Sequence, residues 1–142
     1  MRVRFGRFAA AVAVVASAAC TSSPAAPTVT PPFTQTEIII GLGDPASTGQ
    51  NLTVNYTGWL YEADKPETKG VQFDSNAGGT PFGFVLGGGQ VIQGWDQGLV
   101  GLRVGGTRRL VIPPSLAYGS VRHGLIPPNA SLVFDVELVS IQ

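Results

Sequence analysis

The chain is expected to fold as an α+β domain, with about five β-strands closing over one short helix. Three observations lead there. Nineteen glycines and eleven prolines in 142 residues, with only 13% charged, mark a turn-rich chain closer to a β protein than to a helical bundle. Several stretches alternate apolar and polar residues with period two, as half-buried strands do. Only one stretch, opening at Val91-Ile92-Gln93-Gly94-Trp95, repeats its apolar residues at helical spacing, through Ile92, Trp95, Leu99 and Leu102. Trp95, one of two tryptophans, has two readings at this level: a core residue filling space, or the floor of a pocket for a small apolar ligand.

Residues 1–19 read as a secretory signal. Arg2, Arg4 and Arg7 precede an apolar run from Phe8 to Ala19, too short for a permanent span of about 20 residues. Cys20 follows. It is the only cysteine, so no internal disulfide forms. Either it is a leftover thiol beside an ordinary Ala-x-Ala-like cleavage site (Ser17 and Ala19), or it is the acylated first residue of a mature lipoprotein. Ala18-Ala19-Cys20 is similar to the end of a lipobox, although Ser17 stands where Leu or Val is usual. The polar tether that follows favours lipidation, and the acyl chains would supply the membrane affinity. Residues 20–36 are rich in Ser, Thr, Pro and Ala and read as that tether. Without the three leader arginines the chain has six basic and nine acidic residues, a balance with no pull toward nucleic acid.

The folded unit is expected over 37–142, long enough for one modest core. Glu37 to Ile40 is a short strand closed by Gly41-Leu42-Gly43-Asp44-Pro45. That glycine pair is no dinucleotide fingerprint, because no helix follows it. Leu52 to Thr57 alternates, with Leu52, Val54 and Tyr56 on one face. Glu62 to Gly70 is a polar loop, and Gln72 to Asn76 ends a strand with Asp74 beside Phe73. Phe82 and Phe84 flank Gly83 in another alternating piece. Arg108 to Ile112 is a strand stopped by Pro113-Pro114, its two arginines read as solvated edge charges. A loop from Ser120 to Asn129 leads to Leu132–Val139, where Leu132, Phe134, Val136 and Leu138 face inward and Asp135 and Glu137 outward.

The chemistry is marked by what is missing. One histidine and one cysteine, about a hundred positions apart, make no metal site. No nucleophile elbow or phosphate-cradling loop occurs, and no cofactor is expected. Aromatic residues gather instead at positions read as inward: Tyr56, Phe73, Phe82, Phe84, Trp95, Tyr118 and Phe134. That inventory suits a concave apolar binding site with a few polar groups at its rim.

Seven blocks carry a resemblance. Val54-Asn55-Tyr56-Thr57-Gly58, Phe73-Asp74-Ser75, Pro81-Phe82-Gly83-Phe84, Val91 to Trp95, Leu116-Ala117-Tyr118-Gly119, Ile126-Pro127-Pro128-Asn129-Ala130 and Leu132 to Leu138 follow one another in order. Together they resemble the FKBP-type, macrolide-binding peptidyl-prolyl cis–trans isomerases, in a bacterial secreted or lipoprotein form. The resemblance implies a strongly curved antiparallel sheet around one short helix. It also implies a catalytic group of Tyr118, Asp74, Trp95 and Phe82, and a substrate-binding group of Tyr56, Phe73, Val91, Ile92, His123, Leu125, Ile126 and Phe134. Three departures stand out. Gly79 replaces an arginine often found after the Phe-Asp pair, Gln90 replaces an acid before Val91, and the 118–127 loop is one residue shorter.

The implied reaction twists an X-Pro amide over a barrier of ~18–20 kcal/mol. The twisted bond is less hydrated than the planar one, so a dry aromatic pocket favours it with no proton transfer. The expected partners are proline-containing polypeptides and macrolide inhibitors, for a monomer that meets a membrane only through a lipid anchor. The expected place is the cell envelope, or failing an anchor the periplasm or medium. A binding module on the same fold, gripping proline segments with little turnover, is the other reading.

Overall fold

Residues 30–142 are described by a computed structural model. The signal read at 1–19, Cys20 and the tether as far as residue 29 lie outside the described residues. Within them, alternation produces six strands: β1 (Thr34–Ile39), β2 (Asn51–Tyr61), β3 (Lys69–Ser75), β4 (Phe82–Val85), β5 (Thr107–Ile112) and β6 (Leu132–Ile141). One α-helix, α1 (Gln93–Gly98), lies between β4 and β5, and single 3₁₀ turns form at Pro66–Thr68 and Pro114–Leu116. All strand pairs are antiparallel, in the order β1-β5-β6-β2-β3. β4 also pairs with β2, along Asn51–Val54, while β3 takes Thr57–Tyr61 of the same edge. The expected α+β architecture is present, with one strand more than the count from alternation.

The centre of the sheet is β6 against β2, registered from Leu52↔Ile141 to Leu60↔Leu132. Leu52 and Val54 of β2 and Leu132, Phe134, Val136 and Leu138 of β6 are buried in one core. Val133, on the opposite face of β6, is buried as well. Trp59 stands across from it in register, because β2 continues through Gly58 to Tyr61 instead of stopping at Thr57. Lys69 and Gly70, read as loop, belong to β3.

A six-residue helix holding two glycines is unstable alone. Packing holds α1. A Cβ on Gly94 would lie 2.6 Å from the Ile112 side chain, and one on Gly98 2.7 Å from that of Leu110. Residues four apart share a helix face, so these two glycines let α1 lie directly on β5. Trp95 is then held over the sheet.

The reading of Arg108 and Arg109 as solvated edge charges is corrected. β1 covers the edge of β5 that they were assigned to. Arg108 is only 7% exposed. Its Nε donates to Glu37 of β1, and its Nη1 donates to the carbonyls of Gly98 (2.7 Å) and Val100 (2.9 Å) at the end of α1. Arg109, on the other face, donates Nε to Asp135 Oδ1 at 2.7 Å and Nη2 to Oδ2 at 3.0 Å. Lys69 adds a 2.8 Å bond to Asp135 and lies 4.2 Å from the centre of the Trp59 ring. Asp135 is outward, as read, but closed into an ion cluster.

β1 starts at Thr34, so three residues read as tether are paired with β5, and Phe33 packs against the core. All six of its residues are exposed, and its register slips between Glu37 and Ile39.

Candidate functional site

The site grows from the inner face of β2. Leu52 and Val54 are buried, and the next inward position, Tyr56, is half-buried at the margin of the core. Two residues on, Gly58 leaves the backbone bare. A Cβ there would come within 2.6 Å of Phe73 and 2.7 Å of Phe134, so only glycine lets both rings lie against the strand.

Trp95 is 4% exposed and surrounded by rings. Tyr56 is 5.1 Å away between centroids and Phe134 5.2 Å, both nearly perpendicular to the indole. Phe84 follows at 5.7 Å and Phe82 at 6.3 Å. Phe73 meets Phe134 edge-on at 5.5 Å. Each perpendicular pair adds roughly 0.5–1.5 kcal/mol beyond its buried area. Phe82 stacks on Phe84 yet is 39% exposed, so it forms the open side of the cluster. Among the described residues the indole Nε1–H has no nitrogen or oxygen acceptor.

Polar groups stand at one margin. Tyr56 donates its hydroxyl to Asp74 Oδ2 at 2.7 Å. Partial burial pushes the Tyr56 phenol up to about 12, helped by that bond and by the Asp74 charge. Tyr118 is raised too, by burial first and then by the Asp74 charge. Burial and the one carboxylate thus act in the same direction on both hydroxyls, which stay protonated well beyond neutral pH. Gly79 stands where the resembled family often has an arginine, and the Tyr56 hydroxyl is a hydrogen-bond partner of Asp74.

The remaining expected residues separate into two groups. Val91 and Ile92 lead into α1 and pack on the core, with the Ile92 carbonyl accepting from the Trp95 and Asp96 amides. Tyr118 follows the Pro114–Leu116 turn, and the His123 ring lies parallel on it at 4.2 Å. His123 and Ile126 exchange backbone hydrogen bonds of 3.0 and 2.9 Å, which closes a tight loop. Ile126 enters the core, whereas Leu125 at the tip is 69% exposed. Leu125 is thus not among the packed residues. Cys20 lies outside the described residues.

Two supports, Asn76 and Asp96, were not singled out from sequence, and a third, Gln90, was noted only as a departure. Asn76, read only as part of a turn, fills the gap between β3 and β4. Its Oδ1 accepts from the Tyr56 amide at 2.6 Å and its Nδ2 donates to the Val54 carbonyl at 3.0 Å. The side-chain amide completes the ladder where the edge of β2 opposite β6 has no partner strand, satisfying groups that would otherwise be unpaired. Asp96 accepts from the amides of Gly87 (2.8 Å) and Gly89 (3.2 Å), holding the glycine turn onto α1. Gln90 Oε1 accepts from the Val85 amide at 3.0 Å, so the position needs an acceptor and not a charge. An Asn after a strand and an Asp in the first turn of a helix are the only signals either offered.

A sequence model described as FKBP-type peptidyl-prolyl cis-trans isomerase matches residues 43–139. FK506-binding protein 2 of Dictyostelium discoideum is 52% identical over 95 residues, 66% of each chain. FK506-binding protein 4 of Mycosarcoma maydis is 48% identical over 102 residues, which are 72% of this chain and 25% of that one. The chain spans about a quarter or less of the length of several such relatives. Among solved structures, the crystal structure of AtFKBP13 superimposes with a TM-score of 0.65 at 35% identity, covering 78% of this chain and 93% of that one. An aromatic cluster centred on Trp95, the curved antiparallel sheet around it and a family match over most of the chain agree: the chain belongs to the FKBP-type peptidyl-prolyl cis–trans isomerases.

Proposed function

We propose that the domain isomerises X-Pro bonds of polypeptides outside the cytoplasm, by non-covalent catalysis at the Trp95 cluster. The observation that carries this is the arrangement around Trp95: a dry aromatic floor, open on the Phe82 side and edged by two protonated tyrosines and one carboxylate. The prolyl ring would sit on Trp95 between Tyr56, Phe82 and Phe134, with Val91 and Ile92 beside it. Tyr118 would donate to a substrate carbonyl, and Asp74 would fix the direction of Tyr56.

Raising an uncatalysed rate of ~0.01–0.1 s⁻¹ to a common enzymatic turnover requires roughly 3–7 kcal/mol. Loss of amide hydration and one or two hydrogen bonds are of that size. The test is cis–trans exchange of a short X-Pro peptide, followed by exchange spectroscopy or a protease-coupled assay. Acceleration removed by Trp95→Ala is expected; an uncatalysed rate with wild-type protein overturns the enzyme reading in favour of a proline-binding module. Action outside the cytoplasm rests on the leader and on acylation of Cys20. Mass spectrometry of the mature N-terminus tests both, and an unprocessed Met1 would refute them.

A further inference from the structure

β1 and the turn after it carry the least explained surface of the domain. Ile38, Ile39, Ile40 and Leu42 are all exposed, Ile40 at 75% and Leu42 at 98%. Four large apolar side chains within five residues are far from the scattered exposure normal on a soluble surface. Alternation would have turned one face of this strand inward, yet neither face is covered. Ile40 and Gly41 share a concavity with Gly101, Arg103, Glu37 and Arg108. Glu37 and Arg108 neutralise each other there, which leaves Arg103 as its net charge. Arg103 spends one donor on the Gly43 carbonyl.

We infer that this patch docks on a lipid surface, with Ile38 to Leu42 inserted at the headgroup boundary and Arg103 against phosphate groups. Two alternatives fit less well. Strand addition by a second copy needs a regular ladder, and the register slip between Glu37 and Ile39 interrupts β1 where the apolar residues begin. The chain's own residues 21–32 offer one large apolar side chain, Val29, too little to cover four.

Proximity favours lipid, and here the inference rests on the anchor reading of Cys20. Taken as the coil its composition predicts, the interval from Cys20 to Thr34 has a root-mean-square span of about 20 Å, and Ile38 lies four strand residues, about 13 Å, further along β1. An anchored Cys20 therefore keeps the patch within reach of the bilayer at a millimolar-scale effective concentration. Weak side-chain insertion then suffices. The domain would lie on the membrane by one defined face.

The test uses the chain from Cys20 to Gln142, which retains every described strand and the whole described core. Its single thiol is coupled to maleimide lipid in nanodiscs of phosphatidylglycerol and phosphatidylethanolamine, so the result does not depend on natural acylation. Nitroxide-labelled lipid then reports proximity through amide relaxation. Broadening should centre on residues 38–42 and 101–103, at least threefold above the domain average. Ile40→Asp with Leu42→Asp should abolish that excess and leave X-Pro exchange unchanged. Uniform broadening, a maximum on another face, or an excess that survives the double substitution would overturn the inference. So would a concentration-dependent dimer that the double substitution dissolves. An unprocessed Met1 on the native protein would refute the anchor while leaving this contact independently measured.

Discussion

Arg108 is where the positioning of Trp95 can be tested by a stability measurement. Arg108→Met keeps most of the apolar stem and removes three donor contacts: the Glu37 carboxylate and the carbonyls of Gly98 and Val100. Hydrogen bonds involving a charged group contribute roughly 1.5–3 kcal/mol each, and the two carbonyls lie at the end of α1 with no replacement donor from Met. The Glu37 side chain is 39% exposed, so it rehydrates and its lost pairing adds only about 0–1 kcal/mol. The expected loss is about 3–7 kcal/mol, which lowers Tm by roughly 12–28 °C for a domain of this size. Glu37→Gln should cost under about 1 kcal/mol. Arg108→Lys should fall between, because one ammonium cannot reproduce the planar fork. Urea titrations followed by tryptophan fluorescence give all three values. Should Arg108→Met lie within about 1 kcal/mol of wild type, the claim that this side chain ties β1 and β5 to α1 fails. A loss in Glu37→Gln equal to that in Arg108→Met would instead place the energy in the ion pair.

Other consequences concern the ion cluster and the site. Burial alone would raise Asp135, but hydrogen bonds from Arg109 and Lys69 outweigh it and hold the carboxyl below its ordinary value. Its contribution is therefore present above the unfolded value near pH ~4 and lost as pH falls through the lower folded value. Asp135→Asn should cost about 1.5–3 kcal/mol at pH 7, and its difference from wild type should shrink in acid; a constant difference down to pH ~2 would contradict this. Tyr56, raised to about 12, contributes stability that is complete below pH ~10 and lost between there and about 12. Ultraviolet titration should show its ionisation late, moving down in Asp74→Asn; no movement would remove the carboxylate as a cause. In the site, where the family reading proposes a macrolide ligand, Trp95→Ala and Tyr118→Phe should both weaken its binding, the first by roughly 2–4 kcal/mol and the second by about 1 kcal/mol. Unchanged affinity in both, measured by calorimetry, would mean that the pocket lies elsewhere.

Much of this was legible because the information is local. Period-two alternation marks β2, β4 and β6, since side chains of a strand alternate faces whatever lies across from them. The single helically spaced run marks α1, and seven short blocks carry the family with its aromatic residues. Trp95 shows the limit. Spacing alone left it as filler or floor; rings from β2, β4 and β6 within 5.1–6.3 Å are what make a cluster around it.

The readings that changed depend on partners distant in sequence. Nothing within Arg108-Arg109 says that β1, seventy residues earlier, lies over that edge and supplies Glu37. Asn76 looks like any turn residue until β3 and β4 leave a gap along β2 for its amide to fill. Gly79 says nothing of what Asp74 meets, and the Tyr56 hydroxyl reaches that carboxylate because β2 and β3 pair. Ile38 to Leu42 reads as an ordinary strand and turn, and only the placement of β1 at the sheet's edge exposes it. Alternation and motif order are written residue by residue, so they specify elements and family. Which charges are neutralised, which hydroxyl meets which carboxylate and which apolar face stays bare are set by long-range packing, and those needed the fold.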